Sequence, residues 1–364
     1  MPGRGPQLVQ YVFAERKYSY ELEGRSVGLY EQLRLVKRYK AAFRHFKAVH
    51  SHIFQVATAD CDQAFRAFFR RVKAGERPGY PRFKSFQHFD SFGFKEYGNG
   101  FKVDGRRLKM AAVGRVAVRW HRPLAGRVKT ARIRRTAGKW YVCFSCQLPD
   151  PVGLPPTGQQ IGIDLNVENL LTDSTGKRVE SPKHYRLAQR DLRLAQRTLQ
   201  RKVKGSHNRR KALLSVQRLH EHIKNQRQDL LNKVAHLYTK DNDLIALEDL
   251  QIANMVRNPY LSKSILDAGW GYLRNRCVAK AANAGRHILL VNPANTSKTC
   301  SRCGQLFQDF DLSVRFVNCA CGLSLARDHN AAINILKRAI SGGDTSVQHN
   351  VGPLPAGSVS PCVL

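Results

Sequence analysis

Between residues 7 and 73 apolar side chains recur every three or four positions. Leu35, Tyr39, Ala42, Phe43 and Phe46 set the spacing, and Phe54, Ala57, Cys61, Phe65 and Phe68 continue it. That period predicts helices whose aromatic residues form a core rather than a stacking surface. Arg77-Pro78-Gly79-Tyr80-Pro81 then breaks the register. From 83 to 148 the period becomes two: Trp140, Val142, Phe144, Cys146 and Leu148 alternate with Tyr141, Cys143, Ser145 and Gln147. A small antiparallel sheet or barrel is expected there. Cys143 and Cys146 imitate a zinc CxxC, but residues three apart in a strand point to opposite faces and do not share one ion. Pro151, Gly153, Pro155, Pro156 and Gly158 mark a linker. Beyond it, buried strands are predicted at 161–165, 170–172, 243–248 and 287–291. A helix at 265–283 separates the last two, and long helices at 185–204 and 207–238 join at Gly205-Ser206. The second half is therefore α/β, and the Gly- and Pro-rich stretch from Ser341 onward is expected to be disordered.

Charge changes this picture from a fold into a binding protein. The 364 residues carry 61 Lys+Arg against 27 Asp+Glu, a formal net charge of +34. A surface so positive concentrates polyanions, and the largest of these in a cell are nucleic acids. The 42% hydrophobic content supports a real core, which excludes a disordered basic tail. No apolar run approaches a membrane span, and the first residues lack the apolar centre of a secretory signal, so no membrane role is expected. Basicity peaks between residues 183 and 233, where 15 Lys+Arg meet three acids. Arg186, Arg190, Arg193, Arg197 and Arg201 form a stripe along the first helix, with Leu192, Ala195 and Leu199 on another face. A solvated helix normally mixes both signs, so the stripe, with Lys202, Arg209 and Arg210 beyond it, reads as phosphate-binding.

Three acids interrupt the apolar pattern of the α/β half. Asp164 lies within Ile161-Gly162-Ile163-Asp164-Leu165, Glu248 ends Leu244-Ile245-Ala246-Leu247-Glu248, and Asp328 stands where a helix should begin. Singly, Asp328 could be a helix N-cap and Glu248 a strand-end residue. Clustered carboxylates are costly unless a cation compensates them. If the first two strands are neighbours, the three converge as hard oxygen ligands for two Mg²⁺ ions, a site suited to phosphodiester hydrolysis. Separately, Cys300-Ser301-Arg302-Cys303-Gly304 and Cys319-Ala320-Cys321-Gly322 offer four thiolates for one structural Zn²⁺. Four of nine cysteines in one segment suit a reducing compartment better than a disulfide framework.

Gly162-Ile163-Asp164-Leu165, Leu247-Glu248-Asp249-Leu250 followed by Asn254-Met255, Asp267-Ala268-Gly269-Trp270, and Arg327-Asp328-His329-Asn330-Ala331-Ala332 resemble TnpB. These are OrfB-type proteins of insertion sequences, related to type V CRISPR nucleases. Gly79-Tyr80-Pro81-Arg82-Phe83-Lys84 resembles a further segment of that family, and the likeness runs from about Leu8 to Arg338. The resemblance implies a helical recognition lobe (1–76), a small wedge-like β-barrel (77–150), a linker (151–160) and an RNase H-like, RuvC-type nuclease (161–340). The nuclease would carry a helical insertion at 183–240 and a zinc ribbon at 296–325, and a tail at 341–364 would follow. It implies a Mg²⁺-dependent DNA endonuclease of a transposable element, cutting through Asp164, Glu248 and Asp328. Its partners would be a guide RNA and double-stranded DNA beside a short flanking motif, with no obligate protein partner, in a prokaryotic cytoplasm with the nucleoid. Base pairing would read the sequence while the protein holds the backbone, with Gln55, Arg82, Lys84 and Arg327 added to the basic helices as nucleic-acid contacts.

Three departures from the family qualify these expectations, the first being Ala326 in place of an Asp common before the Arg-Asp pair. The second cysteine pair is CxC, with Asn318 in place of an earlier cysteine. The chain also enters its first helix at once, where the family opens on a strand, so a barrel short of one strand with an exposed edge is expected. The alternatives are a nucleic-acid-binding regulator or decayed element protein without effective cleavage, and a transposase or resolvase acting without RNA.

Overall fold

The computed structural model describes residues 5–82, 90–308, 310–311, 313–342, 347–348 and 360–363. They divide into two compact units, residues 1–149 with 356–364, and residues 150–355.

The first unit opens with α1 (Gly5–Glu23), α2 (Leu29–Ala42), α3 (Arg44–Lys47) and α4 (Ser51–Lys73). The three-four spacing of α4 buries Phe54, Ala57, Cys61 and Phe65 on one face, against Val12, Phe13, Val36 and Phe46. Phe43 lies between α2 and α3 and is left exposed. Arg16 crosses the helices, donating to Gln32 and to Asp62 at 2.6 Å each. The strands follow as β1 (Ser91–Phe94), β2 (Glu96–Tyr97), β3 (Gly100–Asp104), β4 (Arg107–Met110), β5 (Gly114–Ala117), β6 (Arg127–Thr136) and β7 (Lys139–Gln147). They hydrogen-bond as two sheets over one core of Phe94, Phe101, Leu108, Ile133, Val142 and Phe144. One sheet is β2-β3-β4-β5; the other is β1-β6-β7 with Ser360–Val363 added beside β7. Among the described residues Ser360–Val363 covers the outer edge of β7, while β1, β2 and β5 end their sheets. Residues 83–89, including Lys84, lie outside the described residues.

The second unit contains β8 (Gln160–Leu165), β9 (Asn169–Asp173), β10 (Arg178–Glu180), α5 (His184–Gln200), α6 (His207–Asp241) and β11 (Leu244–Glu248). It continues with α7 (Ile252–Met255), α8 (Ser262–Ala268), α9 (Trp270–Ala284), β12 (His287–Val291), β13 (Phe316–Asn318), β14 (Ser324–Ala326), α10 (Arg327–Ser341) and β15 (Val347–Gln348). The sheet order is β10-β9-β8-β11-β12-β15. The first three strands are antiparallel, β11 and β12 run parallel to β8, and β15 returns antiparallel. Most of the stretch expected to be a disordered tail lies outside the described residues. Of the parts that are described, Ser341 and Gly342 close α10, and Val347–Gln348 and Ser360–Val363 are strands.

Strand alternation assigns the two faces of this sheet. Ile161, Ile163, Ile245, Leu247, Ile288 and Leu290 point to one face, packed with Leu231, Ala235 and Tyr238 of α6 and with Leu273, Cys277 and Ala281 of α9. Ala246 and Val291 point to the other, where Ile335 and Ala339 of α10 cover them. The single helix expected at 265–283 is two helices. Gly269 adopts φ +70°, ends α8 and starts α9, and a side chain there would lie 2.9 Å from Leu231. A left-handed glycine is the ordinary stop for a helix, and here it also makes room for α6.

Candidate active site

The parallel ladder places the first two carboxylates side by side. Ala246 pairs with Gly162 and Leu247 with Ile163, so the next step along each strand sets Glu248 beside Asp164. Both belong to the face covered by α10. Their neighbours two residues back, Gly162 and Ala246, are small, and the backbone of α10 comes close at that point. A Cβ on Gly162 would lie 2.2 Å from the Ala332 carbonyl oxygen. The approach brings the first turn of α10, with Asp328, toward the same end of the sheet. Ala326, not Asp328, is the N-cap, and no side chain caps this helix.

The electrostatics record the convergence. Burial raises the Asp164 carboxyl well above its usual range, and the Glu248 and Asp328 charges raise it further. Asn166 and Arg327 act against this only in part. Glu248, 7% exposed, is also raised by burial, opposed by a hydrogen bond from Thr296 and by the Arg338 charge. Thr296 Oγ1 donates to Glu248 Oε1 at 2.5 Å. Asn166 Nδ2 reaches Asp164 Oδ2 at 3.5 Å and Thr172 Oγ1 at 3.3 Å. Arg327, expected to contact nucleic acid, ion-pairs with Asp328 at 3.1 Å. A set of hard oxygen donors with more negative charge than its neighbours neutralise is chemically matched to divalent cations.

The four cysteines meet as a second cluster. Among the described residues they are the one set of three or more possible metal ligands whose donor atoms all lie within 4.8 Å of one another. Cys300 and Cys321 are 3.6 Å apart and Cys303 and Cys319 3.5 Å, close to the ~3.8 Å edge of a tetrahedron with Zn–S bonds of about 2.3 Å. Each pair is closed by a left-handed glycine, Gly304 (φ +81°) and Gly322 (φ +82°), whose N–H returns to the Cys300 and Cys319 carbonyls. The CxC pair uses a turn one residue tighter than its partner and still delivers both sulfurs. Burial pushes the Cys300 thiol up, but hydrogen bonds from the Cys303 and Arg302 backbone, with Cys319 and Cys303 beside it, bring it down to about 6.

The basic hairpin is α5 packed on α6. Leu192 is buried while Arg186, Arg190, Arg193, Arg197, Arg201, Lys202 and Arg210 are exposed. Among the described residues no carboxylate pairs with Arg190, Arg193, Arg197 or Arg201. Arg209 is engaged within the hairpin instead, where its guanidinium donates to the Leu199 and Lys202 carbonyls at 2.9 Å each and closes the end of α5. The start of α5 is held by Asp267, whose carboxylate accepts the Tyr185 N–H at 2.9 Å. In the first unit Gln55 is partly buried on α4 and Arg82 is exposed. Thr296, Asn330 and Asn334 were not singled out from the sequence. The two asparagines, one helical turn apart on the buried face of an amphipathic helix, were the available signal.

Residues 143–259 match the OrfB_IS605 family, described as "Probable transposase", and residues 270–335 match the Cas12f1-like TNB domain. A Streptomyces pristinaespiralis protein named as an RNA-guided DNA endonuclease is 33% identical over 342 residues, 89% of this chain and 83% of that protein. The chain belongs to the TnpB (OrfB-type) family. The Escherichia coli K12 protein InsQ, also named as an RNA-guided DNA endonuclease, is 32% identical over 79% of this chain and 74% of its own length. Among solved structures, a Cas12f1–sgRNA–target DNA complex contains a chain of similar fold, with TM-score 0.59, 15% identity and coverage of 91% of this chain and 80% of that one.

Proposed function

We propose that this TnpB-family chain is an RNA-guided DNA endonuclease of a transposable element and that Asp164, Glu248 and Asp328 hold its catalytic metal ions. The observation that carries the reading is the meeting of those three carboxylates, from β8, β11 and α10, at one sheet end. The strand order, an antiparallel trio followed by two parallel strands, supports an RNase H-like, RuvC-type nuclease. The two sheets of the first unit are read as the wedge-like barrel, and the segment with the four cysteines as a zinc ribbon.

Mg²⁺ bound there would activate the attacking water and stabilise the leaving oxygen of the phosphodiester. Thr296 holds one oxygen of Glu248. Arg327 fixes Asp328 from the same helix turn. The Arg186–Arg201 stripe supplies cations for a nucleic-acid backbone, and the knuckle of Cys300, Cys303, Cys319 and Cys321 orders the chain before α10. No helix among the described residues is long and apolar enough to cross a membrane.

The test is a cleavage assay on protein purified with its own RNA. Asp164→Ala and Glu248→Ala are expected to abolish Mg²⁺-dependent cutting while nucleic-acid affinity stays nearly unchanged. A variant that keeps most of the wild-type rate refutes the assignment. Sequencing the copurified RNA separates this reading from a transposase acting without RNA, for which no element-derived RNA would be recovered.

A further inference from the structure

The segment 296–301 joins the two clusters. At its start Thr296, 4% exposed, donates its hydroxyl to Glu248. The same oxygen lies 3.2 Å from the Pro293 carbonyl, but a hydroxyl has one proton, and the shorter bond to a charged acceptor is the stronger. Near the segment's end stands Cys300, 1% exposed, the most buried of the four thiols. Between them the main chain is clamped to α10. Asn334 Nδ2 donates to the Thr296 and Thr299 carbonyls at 2.8 and 2.6 Å, and Asn330 Nδ2 donates to the Thr299 carbonyl at 2.8 Å. Asn330 Oδ1 accepts the Ser301 N–H at 2.8 Å, and Lys337 Nζ donates to the Ser301 carbonyl.

Both asparagines are buried. Buried amides hydrogen-bonded to main chain are costly to strand, so they fix a loop rather than follow it. The clamp and Asp328 belong to one helix, and the clamped loop holds Glu248. One rigid assembly therefore sets two of the three carboxylates and one knuckle sulfur.

We propose that Thr296 is the positioning residue for the Glu248 carboxylate, and that its placement depends on the four-cysteine knuckle through the segment clamped by Asn330 and Asn334. The inference rests on the carboxylate-site reading above. Glu248 Oε1 is held by Thr296, so the carboxylate does not search among rotamers before it meets a cation. Loss of such an outer partner weakens metal binding or activity by about 10–100-fold in other metal sites.

The test measures Mn²⁺ binding to zinc-loaded protein purified with its RNA, by electron paramagnetic resonance of free Mn²⁺, on wild type, Asp164→Ala, Thr296→Val and Thr296→Ser. Wild type is expected to exceed Asp164→Ala, Thr296→Val to bind about 10–100-fold more weakly than wild type, and Thr296→Ser to return within a few-fold. Zinc content and nucleic-acid affinity should be equal in all four. Zinc extraction from wild type should weaken Mn²⁺ binding, and should weaken Thr296→Val little further, because both act through one contact. Equal binding by Thr296→Val and wild type overturns the proposal, as does a Thr296→Ser variant no better than Thr296→Val. Zinc extraction that leaves Mn²⁺ affinity unchanged overturns the link to the knuckle. If wild type binds no more Mn²⁺ than Asp164→Ala, the carboxylate-site reading falls and takes this proposal with it.

Discussion

Adding one methyl group at Gly162 is expected to disable the site from within the fold. The new Cβ would lie 2.2 Å from the Ala332 carbonyl oxygen, 2.8 Å from the Leu336 nitrogen and 2.9 Å from Leu336 Cβ. Two of these are backbone atoms of α10, so no side-chain rotation relieves the clash. Ordinary contact begins near 3.4 Å, and α10 must retreat by about 1 Å from the sheet. Overpacking of this kind costs about 1–3 kcal/mol. The catalytic effect should be larger in proportion. Asp328 travels with α10 while Asp164 and Glu248 stay on the strands, and a displacement of about 1 Å at a reacting centre can cost roughly 100-fold in rate. The assay pairs single-turnover DNA cleavage with thermal melting for Gly162→Ala, against Gly79→Ala as control, whose Cβ would meet nothing within 4 Å. Gly162→Ala should cut at least tenfold more slowly at saturating Mg²⁺ and melt several degrees lower, with copurified RNA retained. A variant that melts and cuts as wild type does would mean that α10 has slack against β8, and the close-packing account of the site would fail.

Replacing Arg190, Arg193 and Arg197 together by Gln should flatten the salt dependence of nucleic-acid binding by up to ~2.7 log units per log unit of salt on duplex DNA, at roughly 0.9 per lost phosphate contact; an unchanged slope returns these residues to a solvated face. Tyr238→Phe removes a buried 2.9 Å bond from the phenol to Asp173 and should cost about 1.5–3 kcal/mol, read from the urea midpoint; an unaltered midpoint refutes it. Burial holds the Cys61 thiol at about 11 and the Cys277 thiol at about 12, against an ordinary value of 9.0. Both should therefore resist alkylation at pH 8 in native protein and react on unfolding. The sign for stability follows: above pH 9 the unfolded thiols ionise while the folded ones stay protonated, so their contribution is lost as pH rises toward 11–12. Rapid native labelling of either would contradict their burial.

The helices and strands were legible because each is dictated by its own side-chain period. The α4 spacing of Phe54, Cys61 and Phe65 predicted its buried face, and the apolar runs at 161–165 and 243–248 predicted two strands, whose adjacency comes only from the fold. Partnerships across distance were not legible. Arg209 was read as one more cation of the basic hairpin, yet its charge closes the last turn of α5, a role visible only once Leu199 and Lys202 are folded back against it. Arg327, expected among the nucleic-acid contacts, ion-pairs with the adjacent Asp328. Thr296 carries no periodic signal, and its partner Glu248 lies 48 residues away.

One feature of the site was nevertheless written in the strands. Gly162-Ile163-Asp164 and Ala246-Leu247-Glu248 have the same form, a small residue, a large apolar residue and an acid. Alternation sends the large residue to the face packed by α6 and α9 and the other two to the face of α10. A strand needs bulk on both faces unless something presses close on one. The two small residues therefore mark where α10 must approach, and the acids two positions later mark where its first turn ends. Asp328 in that turn is the third member of the proposed site. An isolated carboxylate in a strand says little, but a carboxylate two residues beyond a small side chain, repeated at the same register on the strand that the fold sets beside it, marks the face and the helix end of the proposed site.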